Sequence, residues 1–256
     1  MQILFLVFMF ILGAAFGSFL CCQARRLKMR EEKQKKLSSR SVCLHCKKQL
    51  KWYDNIPIIS WCVLRGKCRY CHKKIGILEI LSELATATAF VMIGTTINVE
   101  HATWLDWLTF AAIALFTLSL VFLAIYDGMC GELPTFALII AAILAIIAVI
   151  PGLCTKFAPM PFASAALFGG IYLVLYLISK GKWVGDGDWV LSAVIGLVLG
   201  HPWLALIALF ISNVSACLVM YPLVKNRKDH QIYFGPFLVL AFVVTYTFSD
   251  FFISMI

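Results

Sequence analysis

Apolar runs of membrane-crossing length recur along this chain, and they leave few folds open to it. They fall at roughly 3–24, 79–98, 106–126, 134–151, 162–179, 188–200, 203–224 and 233–255. Crossing a hydrocarbon core of about 30 Å takes about 20 apolar residues in a helix. Lipid offers the backbone no water to bond, so a spanning segment must satisfy its own N–H and C=O groups, as a helix does. The expected fold class is therefore an all-α polytopic membrane protein of about eight transmembrane helices. Composition agrees, with 62% hydrophobic and 14% charged residues, against about 45–50% and about 25% in water-soluble domains. An ordinary soluble domain and a disordered chain are both excluded. The sixth run is the short one: it opens at Asp188, and Gly200-His201-Pro202 then breaks it.

A net charge of +9 raises nucleic acid as a partner, but the distribution argues against it. Of the 22 Lys and Arg residues, 16 lie between Arg25 and Lys74. No positive residue precedes the first run, as a cleaved secretory signal requires. Residues 1–24 are thus read as a retained first transmembrane helix. The Lys/Arg rule places the basic segment 25–78 in the cytoplasm. Alternation then puts the connections near 99–105, 152–161 and 201–202 outside, and those near 127–133, 180–187 and 225–232 inside. Both termini are expected outside. The charge run from Arg25 to Lys36 has two readings: a solvated extension of the first helix that fixes topology, or a contact for anionic headgroups.

Four of the ten cysteines form Cys43-Leu-His-Cys46 and Cys68-Arg-Tyr-Cys71, with 21 residues between the pairs. Two such knuckles can fold back and offer four thiolates to one tetrahedral ion, and zinc suits a four-sulfur shell. A reducing cytosol argues against a disulfide framework there. The alternatives are a redox pair or plain thiols. A closed four-sulfur shell has no open position for chemistry, so the physical reading is a small zinc-stapled domain. His45 and His72 are read as neighbours of the site rather than ligands. Cys21, Cys22, Cys62, Cys154 and Cys217 are read as small apolar packing residues.

Acidic residues are scarce in the apolar runs, and an ionisable group at membrane depth defaults to a functional hypothesis. Asp127 ends the third run and Asp188 opens the sixth, within Gly185-Asp186-Gly187-Asp188. On the topology above, both lie at the cytoplasmic face. Two carboxyls sharing a site titrate as a unit, giving one carboxylate to activate water and one acid to protonate a leaving group. Gly185 and Gly187, without Cβ atoms, let backbone approach a substrate strand. The bland alternative makes both aspartates helix-end residues, with Asp188 an N-cap or first-turn acid. Asp186 is the substitute second acid, though it precedes the run. Glu79 and Glu83 lie four apart on one helix face, Glu79 read as interfacial and Glu83 as the functional one. Asp54, in Tyr53-Asp54-Asn55-Ile56-Pro57, is either a turn former or a recognition acid.

With these residues placed, the chain resembles the type IV prepilin peptidases, bifunctional leader peptidases and N-methyltransferases that belong to the Gly-x-Gly-Asp intramembrane aspartic proteases. Four stretches carry the likeness: Gly17-Ser18-Phe19-Leu20 before an Arg-bearing helix end; Trp52 to Trp61 leading into Leu64-Arg65-Gly66-Lys67-Cys68; Gly185-Asp186-Gly187-Asp188; and Phe234-Gly235-Pro236-Phe237. The resemblance implies that Asp127 and Asp188 are catalytic and that 79–256 is the peptidase core. It implies a bacterial cytoplasmic (inner) membrane location. Leader cleavage after a glycine at the cytoplasmic edge would be followed by methylation of the new N-terminus from S-adenosylmethionine. It ties the cysteine domain to that second activity and places Glu83 where the family carries an acid. The implied substrates are prepilins or pseudopilins of pilus, secretion or competence systems.

Three departures from the family pattern stand out. Cys21 replaces an Asn, Val190 a Lys, and a glycine-containing stretch separates Asp127 from Leu133-Pro134. The basic 25–78 segment would not attract a basic leader, so recognition is expected from apolar helix docking with local acids such as Asp54 or Glu83. Two rivals from other classes are an ion-coupled carrier with intramembrane aspartates and a membrane scaffold whose zinc domain binds a partner. Both acids sit at one membrane edge, and no inverted pair of broken spans is evident, which disfavours the carrier.

Overall fold

A computed structural model describes residues 1–31, 41–43, 45–155, 159–224 and 233–256. The far part of the Arg25–Lys36 run and the connection at 225–232, expected inside, lie outside these residues, as does Lys156. The described chain is all-helical apart from two isolated β-bridges. It divides into two compact units, Met1–Gly94 and Thr95–Ile256.

The first unit pairs α1 (Gln2–Glu31) with α3 (Ile77–Gly94). The helices approach closely because glycines face backbone. A Cβ on Gly17 would meet Ser82 O at 2.6 Å and Glu83 Cα at 2.8 Å. Small residues at such crossings are how helices pack where lipid supplies no hydrophobic drive. Between them lie a 3₁₀ turn (Trp52–Asn55), the short α2 (Ile59–Val63) and the two cysteine knuckles. The knuckles repeat one another. Lys47 N–H donates to Cys43 O and His72 N–H to Cys68 O, and Lys47 and His72 both take positive φ.

The second unit holds α4 (Trp104–Cys130), α5 (Thr135–Thr155), α6 (Met160–Ser179), α7 (Asp186–Leu199), α8 (Pro202–Val224), α9 (Gly235–Thr247) and α10 (Ser249–Ile253). α4 starts on a capping box in which Thr103 and Asp106 bond reciprocally, and it stops at Gly131 in the left-handed region. α7 packs on α6 and α5, and α9 lies against α4, α7 and α8. Phe116, Phe168 and Phe242 are fully buried among these helices.

Each apolar run became helix, with two differences. The run at 233–255 is two helices: Phe248 (φ −102°, ψ 24°) breaks it between α9 and α10. The sixth helix starts two residues earlier than expected, so Asp186 opens it and Asp188 lies inside its first turn. Among the described residues, five helices, α1, α3, α4, α6 and α8, are long and apolar enough to cross a membrane, and the chain is a multi-pass membrane protein. α5 (apolar over Thr135–Pro151), α7 and α9 are shorter apolar helices.

Candidate functional site

Asp127 and Asp188 are both buried, in a unit whose surface is largely apolar. Asp127 sits in the last turn of α4, its own carbonyl accepting the Gly131 N–H that closes the helix at 2.7 Å. Its carboxylate points away from that cap: Oδ2 accepts the Gly235 N–H, from the first residue of α9, at 2.8 Å. That amide is available because the first N–H groups of a helix have no intrahelical acceptor. A Cβ on Gly235 would stand 2.9 Å from Asp127 Oδ2 and 3.3 Å from its Cγ, so the contact needs glycine.

Asp188 is held in the same manner. Its Oδ2 accepts the Gly185 N–H at 3.0 Å, the reach from the third helical residue back to the cap that typifies a helix start. Each carboxylate therefore meets one glycine amide at the N-terminus of one short helix. The helices that present these amides, α7 and α9, pack against each other. Gly187 serves packing: a Cβ there would lie 2.8 Å from Leu133 Cβ and Cδ1, so its absence seats α7 on the segment that follows α4. Asp186 is exposed.

A polar network that the sequence does not mark joins α6 to α8. The Asn213 amide donates to the Tyr172 hydroxyl at 2.9 Å, and Tyr172 and Ser212 share a hydrogen bond at 3.3 Å. The Ser212 hydroxyl also donates to Leu209 O, so the Tyr172 proton is left to bridge to Ser212. The Tyr172 ring packs on Phe234 at 5.5 Å between centroids, next to the Gly235 that serves Asp127. A lone Tyr in an apolar helix carries no signal of this, and neither does a backbone amide.

In the first unit, Cys43, Cys46, Cys68 and Cys71 bring all four sulfur atoms within 4.8 Å of one another. Zinc–sulfur bonds of about 2.3 Å in a tetrahedron set sulfurs about 3.8 Å apart. The Cys43–Cys71 separation of 3.9 Å fits that spacing. His45 and His72 are exposed and outside the cluster. Glu83 is buried: it accepts the Ile58 N–H at 2.7 Å and bonds the Ser18 side chain. Ile58 has φ +62°, a costly conformation for a β-branched residue, and the Glu83 bond lies at that residue. Glu79 pairs with Arg25. Asp54 is a turn former: it accepts Lys51 N–H at 3.2 Å and Arg69 Nε–H at 2.7 Å.

Comparison with known proteins shows the family. Residues 11–97 match the model of the bacterial peptidase A24 N-terminal domain. A prepilin leader peptidase/N-methyltransferase of Legionella pneumophila is 30% identical, over 90% of this chain and 80% of its own. One from Klebsiella pneumoniae is 31% identical over 78% and 86%, and one from Vibrio cholerae is 23% identical over 82% and 81%. No solved structure matches. With identity at this level spread over most of both chains, the protein belongs to the prepilin leader peptidase/N-methyltransferase family, a family of enzymes.

Proposed function

We propose that this chain cleaves the leader of prepilins or pilin-like proteins, with Asp127 and Asp188 as its catalytic pair. The observation that carries the reading is the geometry of the two carboxylates. They are buried, each is fixed by one glycine amide, and the helices that open at those amides pack together. Anchoring Oδ2 on each side orients both Oδ1 atoms, between which a water and the scissile carbonyl would lie. One carboxylate takes a proton from the water as it attacks the carbonyl carbon. The other acid donates to the carbonyl oxygen, and a proton then passes to the leaving amine as the C–N bond breaks. The unwound substrate backbone this requires is tolerable at membrane depth only where protein or a wet cavity covers it. The pair faces the cytoplasm, with the cysteine module on the same side and both termini outside.

The four cysteines would hold one zinc ion, which supplies folding free energy and offers no open coordination position. The names of the relatives also support N-methylation of the new N-terminus, with S-adenosylmethionine as donor.

The test is cleavage of a prepilin by membranes carrying wild type, Asp127→Asn or Asp188→Asn, read as a gel shift. Asparagine keeps the size and an acceptor oxygen but cannot exchange protons. Both variants should insert normally and leave the precursor uncut. Normal cleavage by either one removes that aspartate from the mechanism.

A further inference from the structure

We infer that α2 is seated in the membrane: its outward face, Ile59, Cys62 and Val63, lies in the interfacial layer of the bilayer. The metal-binding knuckles hang from it toward water. The module between α1 and α3 is then partly immersed rather than wholly aqueous.

The argument rests on depth. α3 has 18 residues, about 27 Å at about 1.5 Å per residue, so nearly all of it is needed to cross a core of about 30 Å. Its start at Ile77 must therefore lie near the hydrocarbon boundary. The Arg25–Glu79 ion pair marks that level, since paired charges favour the headgroup layer. Glu83 is one turn further in, about 6 Å by the same helical rise. The Ile58 N–H is bonded to the Glu83 carboxylate at 2.7 Å, and a helical side chain leans toward the helix N-terminus, so the residue that leads into α2 sits between the level of Glu83 and that of the ion pair. α2 has five residues, about 7.5 Å of helix. Even directed straight outward, it ends near the ion pair.

The side chains suit that position. α2 reads Ile-Ser-Trp-Cys-Val, and Ile59 and Val63 remain 61% and 70% exposed. Positions i, i+3 and i+4 of a helix share one face, and here they are isoleucine, cysteine and valine. Left in water, that face would be an unexplained apolar patch on a basic module. At the interface it becomes the lipid contact of an in-plane helix, which typically buries its apolar side about 5–10 Å. Exposed Lys51, Arg65 and Lys67 flank α2 in sequence, and anionic headgroups favour such neighbours. The same depth suits the Glu83 contact: below the headgroups a peptide N–H finds little water, and the carboxylate supplies its acceptor.

The unmodified full-length protein tests this in liposomes containing phosphatidylglycerol. Cys62 is exposed among the described residues, so the described fold does not shield it. N-ethylmaleimide needs the thiolate, which does not form in an apolar layer. Labelling of Cys62, followed by peptide mapping, should be about tenfold or more slower in liposomes than in the chain unfolded in urea and detergent. In a second measurement, benzoylphenylalanine replacing Val63 should yield lipid adducts on irradiation. The same probe replacing Ile139, an exposed residue of α5, is the positive control. Fast labelling of Cys62 in liposomes overturns the inference. So does a Val63 probe that gives no lipid adduct while the Ile139 probe does. The maleimide arm needs no substitution, so misfolding of the probe variant cannot excuse a negative result.

Discussion

Replacing Gly235 with alanine tests whether the amide at the start of α9 fixes Asp127. The new Cβ would stand 2.9 Å from Asp127 Oδ2, 3.2 Å from its Cβ and 3.3 Å from its Cγ. Three atoms of one short side chain are crowded together, so a rotamer change does not relieve the clash. The carboxylate and the amide must separate by about half an ångström to reach an ordinary contact of about 3.5–4.0 Å. A hydrogen bond of 2.8 Å then stretches past its useful range. A bond to a charged group contributes about 1.5–3 kcal/mol. If that contribution is made in the transition state, kcat for prepilin cleavage falls about 10- to 150-fold. The internal control is Gly128→Ala, one residue from Asp127 in the same helix turn. A Cβ at Gly128 meets nothing within 4 Å, so cleavage should be unchanged and stability should rise by about 0.5–1 kcal/mol from the better helix former. Initial-rate cleavage of a synthetic prepilin in detergent, with both variants matched for insertion, separates the two. A Gly235→Ala enzyme with wild-type kcat refutes the role given to that amide.

Single Cys43→Ser or Cys68→Ser variants should lose the bound metal, read as zinc per chain falling from about one to near zero, while α4 to α9 stay folded. Glu83→Ala leaves the Ile58 N–H without its acceptor and should cost about 1–3 kcal/mol, seen as faster proteolysis of the 41–76 segment; Glu83→Gln should restore protection, because an amide oxygen still accepts. Tyr172→Phe keeps the ring on Phe234 but removes the hydroxyl between Asn213 and Ser212, and should lower thermal stability by the equivalent of about 1 kcal/mol.

What the sequence discloses depends on where the chemistry resides. A thiolate site is written in side chains, so Cys-x-x-Cys twice over is legible before any fold is known. Asp127 and Asp188 are legible for a different reason: a carboxylate among leucines and valines is costly, and its rarity marks it. Their partners are not legible, because a backbone N–H has no letter of its own. Gly235 stands within a recognisable stretch, yet nothing in Phe-Gly-Pro-Phe says that its amide reaches a residue 108 positions earlier. The break at Phe248 is equally silent, since Thr247-Phe248-Ser249 contains neither glycine nor proline. Glu83 was readable as the inner acid of the Glu79–Glu83 pair. That it binds the peptide of Ile58 follows only once the loop between the knuckles has folded back onto α3.

The helix-end role that the sequence offers for the aspartates and the catalytic role proposed above are compatible in the geometry of α7 and α9. These helices have 14 and 13 residues, about 21 and 20 Å long, well short of a core of about 30 Å. Their N-terminal amides meet buried carboxylates, and a buried N–H left unsatisfied is costly. Asp188 and Asp127 supply the acceptors. Capping and catalysis then make the same demand, a carboxylate held in one orientation by a fixed donor. This separates two substitutions at Asp188. Asparagine retains an oxygen for the Gly185 amide, so Asp188→Asn should fold like wild type and fail only in cleavage. Alanine removes the acceptor, so Asp188→Ala should fail in cleavage and also lose about 1–3 kcal/mol of stability. Thermal unfolding in detergent, monitored alongside prepilin cleavage, reads both. If Asp188→Asn and Asp188→Ala unfold together at the wild-type temperature, the acid is not acting as a cap, and the Gly185 contact contributes nothing to holding it in place.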